Sequence, residues 1–288
     1  MSDAQRTARL LWQYGEPIHA VMFFAPETQA ATDALGLKGG WMSYFGCRAA
    51  PLGEVTTEVV TSIFYGFNRR VVERAIPDAW SYASPTALLE ARLSAMDLAL
   101  RRLLDDEIDS DATRRAAALA MAIVDEGDFS GLALGATNAA LAWPDAPHLQ
   151  LWQALGAIRE GRGDGHVACL VAEQIGPCES LVLQGATGRS DADALRSRRG
   201  WSVEEWRDAL DRLTGRGMVD GDGHITNAGD RARELIEMMT DRVAASTIPI
   251  DDRASELVDV MRPLAERIMA AGEVPQQNNM GLPWPPTA

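Results

Sequence analysis

Apolar residues recur at three- and four-residue spacing through four long stretches of the chain, with Arg and acidic residues between them. This spacing places the apolar side chains on one face of a helix, so each stretch predicts a long packing helix. Strand patterns are few, which predicts an all-α protein with little β-structure. The four predicted helices cover residues 88–104, 112–125, 231–245 and 254–271.

The clearest strand pattern surrounds an Asp-Gly-Asp-Gly sequence at residues 220–223, with short apolar runs at 217–219 and 224–226. Asp-Gly pairs favour the tight turns of β-hairpins, so the pattern predicts a small hairpin. Upstream, Ser202 and Glu205 have the spacing of a capping box, which predicts that a helix begins there.

The chain also resembles itself at an offset of 147 residues. His19-Ala20-Val21 is matched by residues 166–168, and Leu88-Leu89-Glu90 by residues 235–237, without any gap. We interpret this as a diverged internal repeat. It predicts a first half at residues 1–145, a second half at 146–272 and a Pro-rich tail at 273–288. The tail is either disordered or an arm across the body, and Trp284 favours the arm.

Charge and composition narrow the choice of partners and compartment. The net charge is −14, whereas proteins that bind nucleic acids usually present a basic surface, so DNA binding is disfavoured. No apolar stretch is long enough for a membrane span, and no export signal is visible. Cys47, Cys169 and Cys178 form no disulfide framework. We expect a cytoplasmic protein.

The order helix, helix, helix, hairpin, followed by a long helix, resembles the winged helix-turn-helix of the MarR (multiple-antibiotic-resistance regulator) family. The resemblance covers about residues 150–272 and rests on an Arg-Gly-Met-Val, Asp-Gly, Ile-Thr and Gly motif at residues 216–229. MarR-like proteins are dimers with interlocking terminal helices, and many bind small, often aromatic, effectors. The resemblance therefore implies an all-α fold with small β-wings, built as two degenerate winged-helix halves in a single-chain pseudodimer. The pseudodimer would be monomeric or pair further as a homodimer. The whole chain also resembles an actinobacterial family of uncharacterised helix-turn-helix proteins.

The helix that would read DNA departs from the pattern of a DNA-binding helix. A recognition helix presents positive charge and hydrogen-bond donors to DNA, yet the outward face predicted here is mostly acidic. The wing adds two more acids, Asp220 and Asp222. The second half is therefore not expected to read DNA well. The outward residues are the acids Glu204, Glu205, Asp208 and Asp211, with Arg207 and Arg212 as the bases.

The equivalent helix of the first half, at about residues 54–67, departs in another direction. At the 147-residue offset, Phe64 replaces Asp211 and Tyr65 replaces Arg212, so the face has become apolar. An apolar face must be covered, because leaving it in water is unfavourable. We expect the first half to be remodelled around something apolar.

Aromatic residues are concentrated at residues 41–48, with Phe23-Phe24 upstream and residues 64–68 downstream. Such a concentration predicts either a dense core or an aromatic pocket that contains a few polar groups. Polar residues inside the same apolar runs favour the pocket, because buried polar groups need partners. The expected walls are Phe24, Trp41, Phe45 and Tyr65, and the expected orienting groups are His19, Tyr44, Arg48 and Asn68.

Patterns for cofactors and metals are weak. The glycine-rich residues 161–165 follow a helix and lack the Lys-Ser/Thr of a phosphate-binding loop, so they predict a flexible turn. The four histidines show no ligand spacing. The sequence predicts no metal site and no cofactor.

Three functions remain open. The first is binding of a small apolar or aromatic ligand, acidic if Arg48 contacts it, by a sensor or sequestering protein. The second is a transcriptional regulator that binds DNA. The third is an enzyme in which His19 and Tyr44 act as acid–base groups; an enzyme is the less expected case. The DNA-binding candidates are Arg196, Arg198, Arg199 and Arg207.

Overall fold

The computed structural model describes residues 1–188, 190–275 and 280–286. The described chain is mostly helical, with short 3₁₀ turns at Ala50–Leu52 and Asp105–Asp109. The helices up to the middle of the chain are α1 Asp3–Phe24, α2 Pro26–Ala34, α3 Gly39–Ala49, α4 Thr57–Ile63, α5 Arg69–Val72, α6 Ala79–Tyr82, α7 Pro85–Leu104, α8 Asp111–Asp125 and α9 Ala133–Ala139. The later helices are α10 Pro147–Ala172, α11 Pro177–Ala186, α12 Ala192–Arg198, α13 Val203–Gly215, α14 Asn227–Thr247 and α15 Asp252–Ala270.

The four helices predicted from apolar periodicity are confirmed as α7, α8, α14 and α15. The capping box is confirmed too: the Ser202 hydroxyl accepts from the Glu205 backbone, and the Glu205 carboxylate accepts from the Ser202 backbone. Both bonds satisfy backbone donors that have no partner inside the first turn. Helix α13 therefore begins where the sequence indicates.

The predicted β-wings are wrong. Within residues 1–188, 190–275 and 280–286 there is no strand, and Val219 and Ile225 form one isolated antiparallel bridge. The Asp-Gly turn itself is present, because the Asp220 carboxylate accepts from the backbone of Asp222 and His224. Thr226 then caps α14, so the chain enters a helix before a ladder can extend. The all-α part of the prediction holds.

The main core is built on α1 and α10, the helices that begin the two predicted halves. Helix α1 packs on α14 and α15, while α10 packs on α8, α9 and α14, and the two helices also contact each other. Leu11, Ile18 and Trp152 are among the fully buried side chains at this centre. Each of the two helices thus contacts at least one long helix of the other predicted half.

Glycines allow other helices to cross α10 closely. A Cβ on Gly135 would lie 2.5 Å from Gly161 Cα, and a Cβ on Gly165 would lie 2.7 Å from Val243 Cγ1. Glycine inside a helix costs about 1 kcal/mol relative to alanine, and close backbone approach is the usual reason for tolerating it. The flexible turn predicted at residues 161–165 is wrong, since these residues are helical and mark the crossings of α9 and α14.

Two smaller cores flank the main one, and we call them lobe 1 and lobe 2. Lobe 1 surrounds Phe45, Phe67 and Ile76 in the first half. Lobe 2 surrounds Cys178, Leu213 and Ile236 in the second half. The three cysteines are free and buried.

The described part of the tail crosses the body. Leu282 is buried, and the Trp284 ring meets the Tyr14 ring edge-on with centroids 6.1 Å apart. Of the predicted tail at 273–288, residues 276–279 and 287–288 lie outside the described chain. No described helix has the length and apolar character needed to cross a membrane.

Candidate functional site

A cavity of about 470 Å³ lies between the two lobes. Its walls come from α1, α3 and the 64–67 segment on one side, and from α11 and α14 on the other. Helix α10 lines it between them. Small-molecule sites in proteins commonly enclose about 300–1,000 Å³, so the cavity is large enough for a ligand of one or two rings.

One wall of the cavity is aromatic. The Tyr44 ring lies 5.2 Å from the Phe23 ring and 5.6 Å from the Phe67 ring, measured between centroids. Trp41 stands edge-on to Tyr44 at 5.8 Å. These side chains reach one wall because α3 and the 64–67 segment pack together in lobe 1. Such a wall offers ring faces for stacking against a flat ligand.

A network of buried ion pairs lies beside this aromatic wall. Arg48 binds Glu160 with both ends of its guanidinium, at 2.8 and 2.7 Å, and also donates to the Tyr44 hydroxyl at 2.8 Å. Arg159 donates to Glu160 at 2.7 Å and to Glu16 at 3.2 Å. Burial alone would raise the pKa of Glu160, but the Arg159 and Arg48 guanidinium groups hold it well below its usual range. Glu160 is therefore ionised at neutral pH.

The described lining is rich in positive charge. Six arginines and three acids line the cavity among the described residues, and two further acids, Glu16 and Asp241, pair with Arg159 and Arg162 from behind the lining. Near Tyr44, burial lowers the pKa of Arg199, whose guanidinium lies 4.0 Å from the centre of the Phe67 ring. Burial of like charges together is unfavourable unless a counter-charge joins them. The site is thus electrostatically suited to an anion, although the whole chain carries a net charge of −14.

The other end of the cavity lies against α14. Arg162 donates to Asp241 at 2.8 Å and to Glu237 at 3.1 Å. His166 Nδ1 lies 3.0 Å from Thr240 Oγ1. Asp164 belongs to the end near Glu160 and Arg48, where it accepts from the backbone of Leu134 and Gly135 and so caps α9.

Five of the eight predicted ligand residues lie together around the cavity, and three do not line it. Phe45 is fully buried behind the wall. Asn68 caps α5 and contacts Glu205. His19 stacks on Trp152 below the cavity. The five that line it are Phe24, Trp41, Tyr44, Arg48 and Tyr65.

His19 is buried without a hydrogen-bond partner on either ring nitrogen among the described residues. Burial, and then the nearby Arg159 guanidinium, lower the pKa of His19 to about 3. The ring is therefore neutral at physiological pH. His19 and Tyr44, the pair considered for acid–base catalysis, do not share the cavity.

The arginines considered for DNA binding divide into two groups. Arg198 and Arg199 line the cavity. Arg196 donates to the Trp201 carbonyl and pairs with Asp193. Arg207 is exposed on α13.

Lobe 1 and lobe 2 touch directly beside the cavity. The Trp201 indole donates to the Gly66 carbonyl at 2.9 Å, and the Asn68 backbone donates to the Arg199 carbonyl at 2.8 Å. The Tyr65 hydroxyl donates to the Ile175 carbonyl at 2.9 Å. The first two bonds hold the segment before α13, and the third holds the turn before α11, against residues 65–68.

Sequence reasoning missed the charged residues of α10 that line the cavity. Their signal was present, because Arg159, Arg162 and His166 recur at helical spacing and so share one face. The intervening glycines concealed it, since they were interpreted as a turn. Glu160, Asp164 and Glu237 were also missed.

One group of possible metal ligands lies away from the cavity. Oxygen and nitrogen atoms of Asp220, Asp222 and His224 come within 4.8 Å of one another on the exposed turn before α14. The Asp220 carboxylate already accepts two backbone hydrogen bonds there. Shaping the turn accounts for this group without an ion.

Comparison with known proteins places the chain in a family. The sequence model of a helix-turn-helix family matches residues 8–275. No curated protein and no solved structure matches the chain. The match includes both lobes, the two central helices and the whole cavity-lining part of α10. The chain therefore belongs to this helix-turn-helix family.

Proposed function

We propose that the protein binds a small aromatic molecule carrying an acidic group, in the cavity between the lobes, and acts as a sensor or sequestering protein. The observation that carries this proposal is the excess of arginines over acids around an aromatic wall, in a chain whose net charge is −14. Guanidinium groups bind carboxylates in a planar, two-point geometry, and aromatic rings stack on flat ligands.

The predicted site residues take particular roles in this proposal. Trp41 and Tyr44 form the stacking wall. Arg48 donates hydrogen bonds to Glu160 and to Tyr44. Its role is therefore to orient Tyr44 and to hold α3 against α10. Arg199, beside Phe67 and Tyr44, is placed to meet the acidic group.

We further propose that the chain is a single-chain pseudodimer of two MarR-like helix-turn-helix halves, each with its own lobe. Reciprocal packing supports this: α1 packs on α15 as α10 packs on α8, with the roles of the halves exchanged. The arrangement resembles the interlocked terminal helices of a dimer. The ligand cavity then lies at the interface of the halves, where dimer effectors commonly bind.

Family membership makes DNA a second candidate partner. The exposed face of α13 carries Glu204, Asp208 and Asp211 beside Arg207, so it offers little charge to phosphates. Titration of duplex DNA at 50 and 200 mM salt tests this partner. We expect no salt-dependent binding. Binding that weakens with salt and is reduced by Arg207→Glu would support the regulator instead.

Native mass spectrometry tests the ligand proposal. The protein is weighed as purified, after denaturation, and after incubation with biphenyl-4-carboxylate or its neutral amide. We expect one bound acid per chain and little bound amide, because the arginines favour the anion. Equal retention of acid and amide, or retention of neither, would contradict the proposal.

A further inference from the structure

His166 occupies the position in α10 that His19 occupies in α1, but its surroundings differ. His19 is buried between the Phe23 and Trp152 rings. The His166 side chain lines the cavity, and 38% of its surface is exposed. Nδ1 faces Thr240 Oγ1 at 3.0 Å. No described residue has a hydrogen bond to Nε2, the other ring nitrogen.

The hydroxyl of Thr240 fixes which nitrogen of His166 carries the proton. A threonine hydroxyl has one proton, and Thr240 donates it to the Ile236 carbonyl at 2.8 Å. While it makes that bond, its oxygen accepts from His166, and Nδ1 then carries the ring proton. A neutral imidazole carries one N–H, which leaves Nε2 with a free lone pair.

The charges around the ring agree with this tautomer. The Glu237 carboxylate lies 4.0 Å from Nδ1 and favours a proton there. Arg162 on α10 and Arg233 on α14 also act on the ring, and Arg162 is paired with Asp241, which in turn pairs with Arg9 on α1. Burial, partly opposed by Glu237, lowers the pKa of His166, so the ring is neutral at pH 7. The Cys169 thiol near Thr240 is also neutral, because burial raises its pKa.

Charged groups of both signs surround each end of the cavity. Near Tyr44, Arg48, Arg159 and Arg199 face Glu16 and Glu160, and Asp164 lies one turn farther along α10. Near His166, Arg162 and Arg233 face Glu237 and Asp241, and Asp241 also pairs with Arg9. His166 lies two helical turns, about 10 Å, from Arg159 along α10.

We propose that His166 accepts a hydrogen bond from the ligand through Nε2, at the end of the cavity opposite the acidic group. This inference rests on the proposed function and narrows it: the ligand is an aromatic acid with a hydroxyl or N–H group at its far end. An elongated molecule could place its acidic group near Arg199 and donate a hydrogen bond to His166 Nε2 with its other end.

The tautomer is tested without any ligand. Long-range ¹H–¹⁵N NMR of the ¹⁵N-labelled protein distinguishes a protonated from an unprotonated ring nitrogen, and His166→Gln assigns the signal. We expect protonated Nδ1 and unprotonated Nε2 at pH 7. Thr240→Val, which removes the acceptor, is expected to shift the ring towards the other tautomer. A protonated Nε2 in the wild type would overturn the inference.

Paired probes test the ligand class. In the wild type, 4′-hydroxybiphenyl-4-carboxylate should bind about tenfold more tightly than its 4′-methoxy analogue, the ratio expected for one hydrogen bond. In His166→Leu the two should bind equally, while His166→Gln, which keeps an acceptor, should restore part of the preference.

The outcomes separate the two proposals. A preference that persists in His166→Leu would overturn the role of His166 and leave the cavity as the binding site. Failure of both probes to bind the wild type would overturn the proposed function and with it the ligand class. The NMR measurement decides the tautomer in either case.

Discussion

Residues 57–72 align with residues 204–219 at the 147-residue offset, yet the two segments have different structures. In the later segment α13 runs unbroken to Gly215 and keeps a solvated, charged outer face. In the earlier segment α4 ends at Ile63, and Phe64 and Phe67 turn into the protein as walls of the cavity. The earlier segment is therefore part of an interior surface, whereas the later one faces solvent.

The difference accounts for one wall of the cavity. The apolar residues of the earlier segment form a face that must be covered, and lobe 2 covers it through Trp201 and Gly200. The space left between the covered face and α10 is lined by the arginines of both halves.

Substitution of the same repeat position in each half tests the comparison most strongly. Phe67 is 3% exposed, and its repeat equivalent Thr214 is exposed on α13. We expect Phe67→Ala to lower the free energy of unfolding by about 4 kcal/mol, because a buried ring is lost. Thr214→Ala should change it by no more than about 0.5 kcal/mol. Urea unfolding of both variants measures this. Similar small effects would show that the first-half segment is not buried.

A second matched pair tests the contact between the lobes. Gly200 and its equivalent Gly53 both have positive φ, at 78° and 83°, so alanine is strained at each. A Cβ on Gly200 would also overlap Val71 of lobe 1, whereas a Cβ on Gly53 meets nothing within 4 Å. We expect Gly53→Ala to cost about 2 kcal/mol from strain alone, because its ψ of −162° lies in a region that essentially only glycine adopts. Gly200→Ala should cost about 3 kcal/mol, from strain and from overpacking against Val71. A cost of about 1 kcal/mol or less for Gly200→Ala in urea unfolding would argue against the lobe contact.

A smaller effect, the pH dependence of folding stability, should distinguish His19 from His166, which aligns with it at the 147-residue offset. The pKa of His19 is about 3 in the folded protein and about 6.5 when unfolded, so the folded state resists protonation. As pH falls below about 6.5 the unfolded state takes up a proton that the folded state does not, and stability declines by up to about 1.4 kcal/mol per pH unit. His19→Gln should remove this contribution, about 2 kcal/mol between pH 7.5 and 5.

Urea unfolding at pH 7.5, 6.5 and 5 measures the contribution of His19. The matched control is His166→Gln, which should change the pH dependence less, because the His166 ring is open to the cavity. An unchanged pH dependence in His19→Gln would show that His19 is not held neutral in the folded protein.

The parts of the site that depend on local sequence could be predicted. Trp41, Tyr44, Phe64 and Tyr65 lie in two short aromatic runs, and lobe 1 brings the runs together. The helices were predictable because their apolar spacing is regular. The Asp-Gly turn was predictable as a turn, but not as strands, because a ladder needs a length of extended chain that Thr226 ends by capping α14.

The other site residues depend on where helices cross in the folded protein, and the local sequence does not show these crossings. Arg159, Glu160 and His166 belong to a helix whose interior glycines mimic a loop and are explained by the helices that cross there. His19 and His166 are equivalent in sequence, yet one is covered by Trp152 and the other is open to the cavity. Residues near the aromatic runs in sequence, such as Asn68, turn away to cap a helix.

The central claim is that a ligand occupies the cavity between the lobes, and Gly163 gives the most direct test. Gly163 lines the cavity within α10, and a Cβ there has only Glu160 Oε2 near it, at 3.8 Å. Gly163→Leu would therefore fill the cavity without breaking the fold. Gly163→Ala is the control that adds a methyl group and favours the helix by about 1 kcal/mol.

Calorimetric titration of wild type, Gly163→Ala and Gly163→Leu with biphenyl-4-carboxylate measures the outcome, with thermal unfolding to confirm that each variant is folded. We expect wild type and Gly163→Ala to bind one molecule each, and folded Gly163→Leu to bind none. Wild-type affinity in folded Gly163→Leu would contradict the central claim, because the ligand would then occupy some other place on the protein.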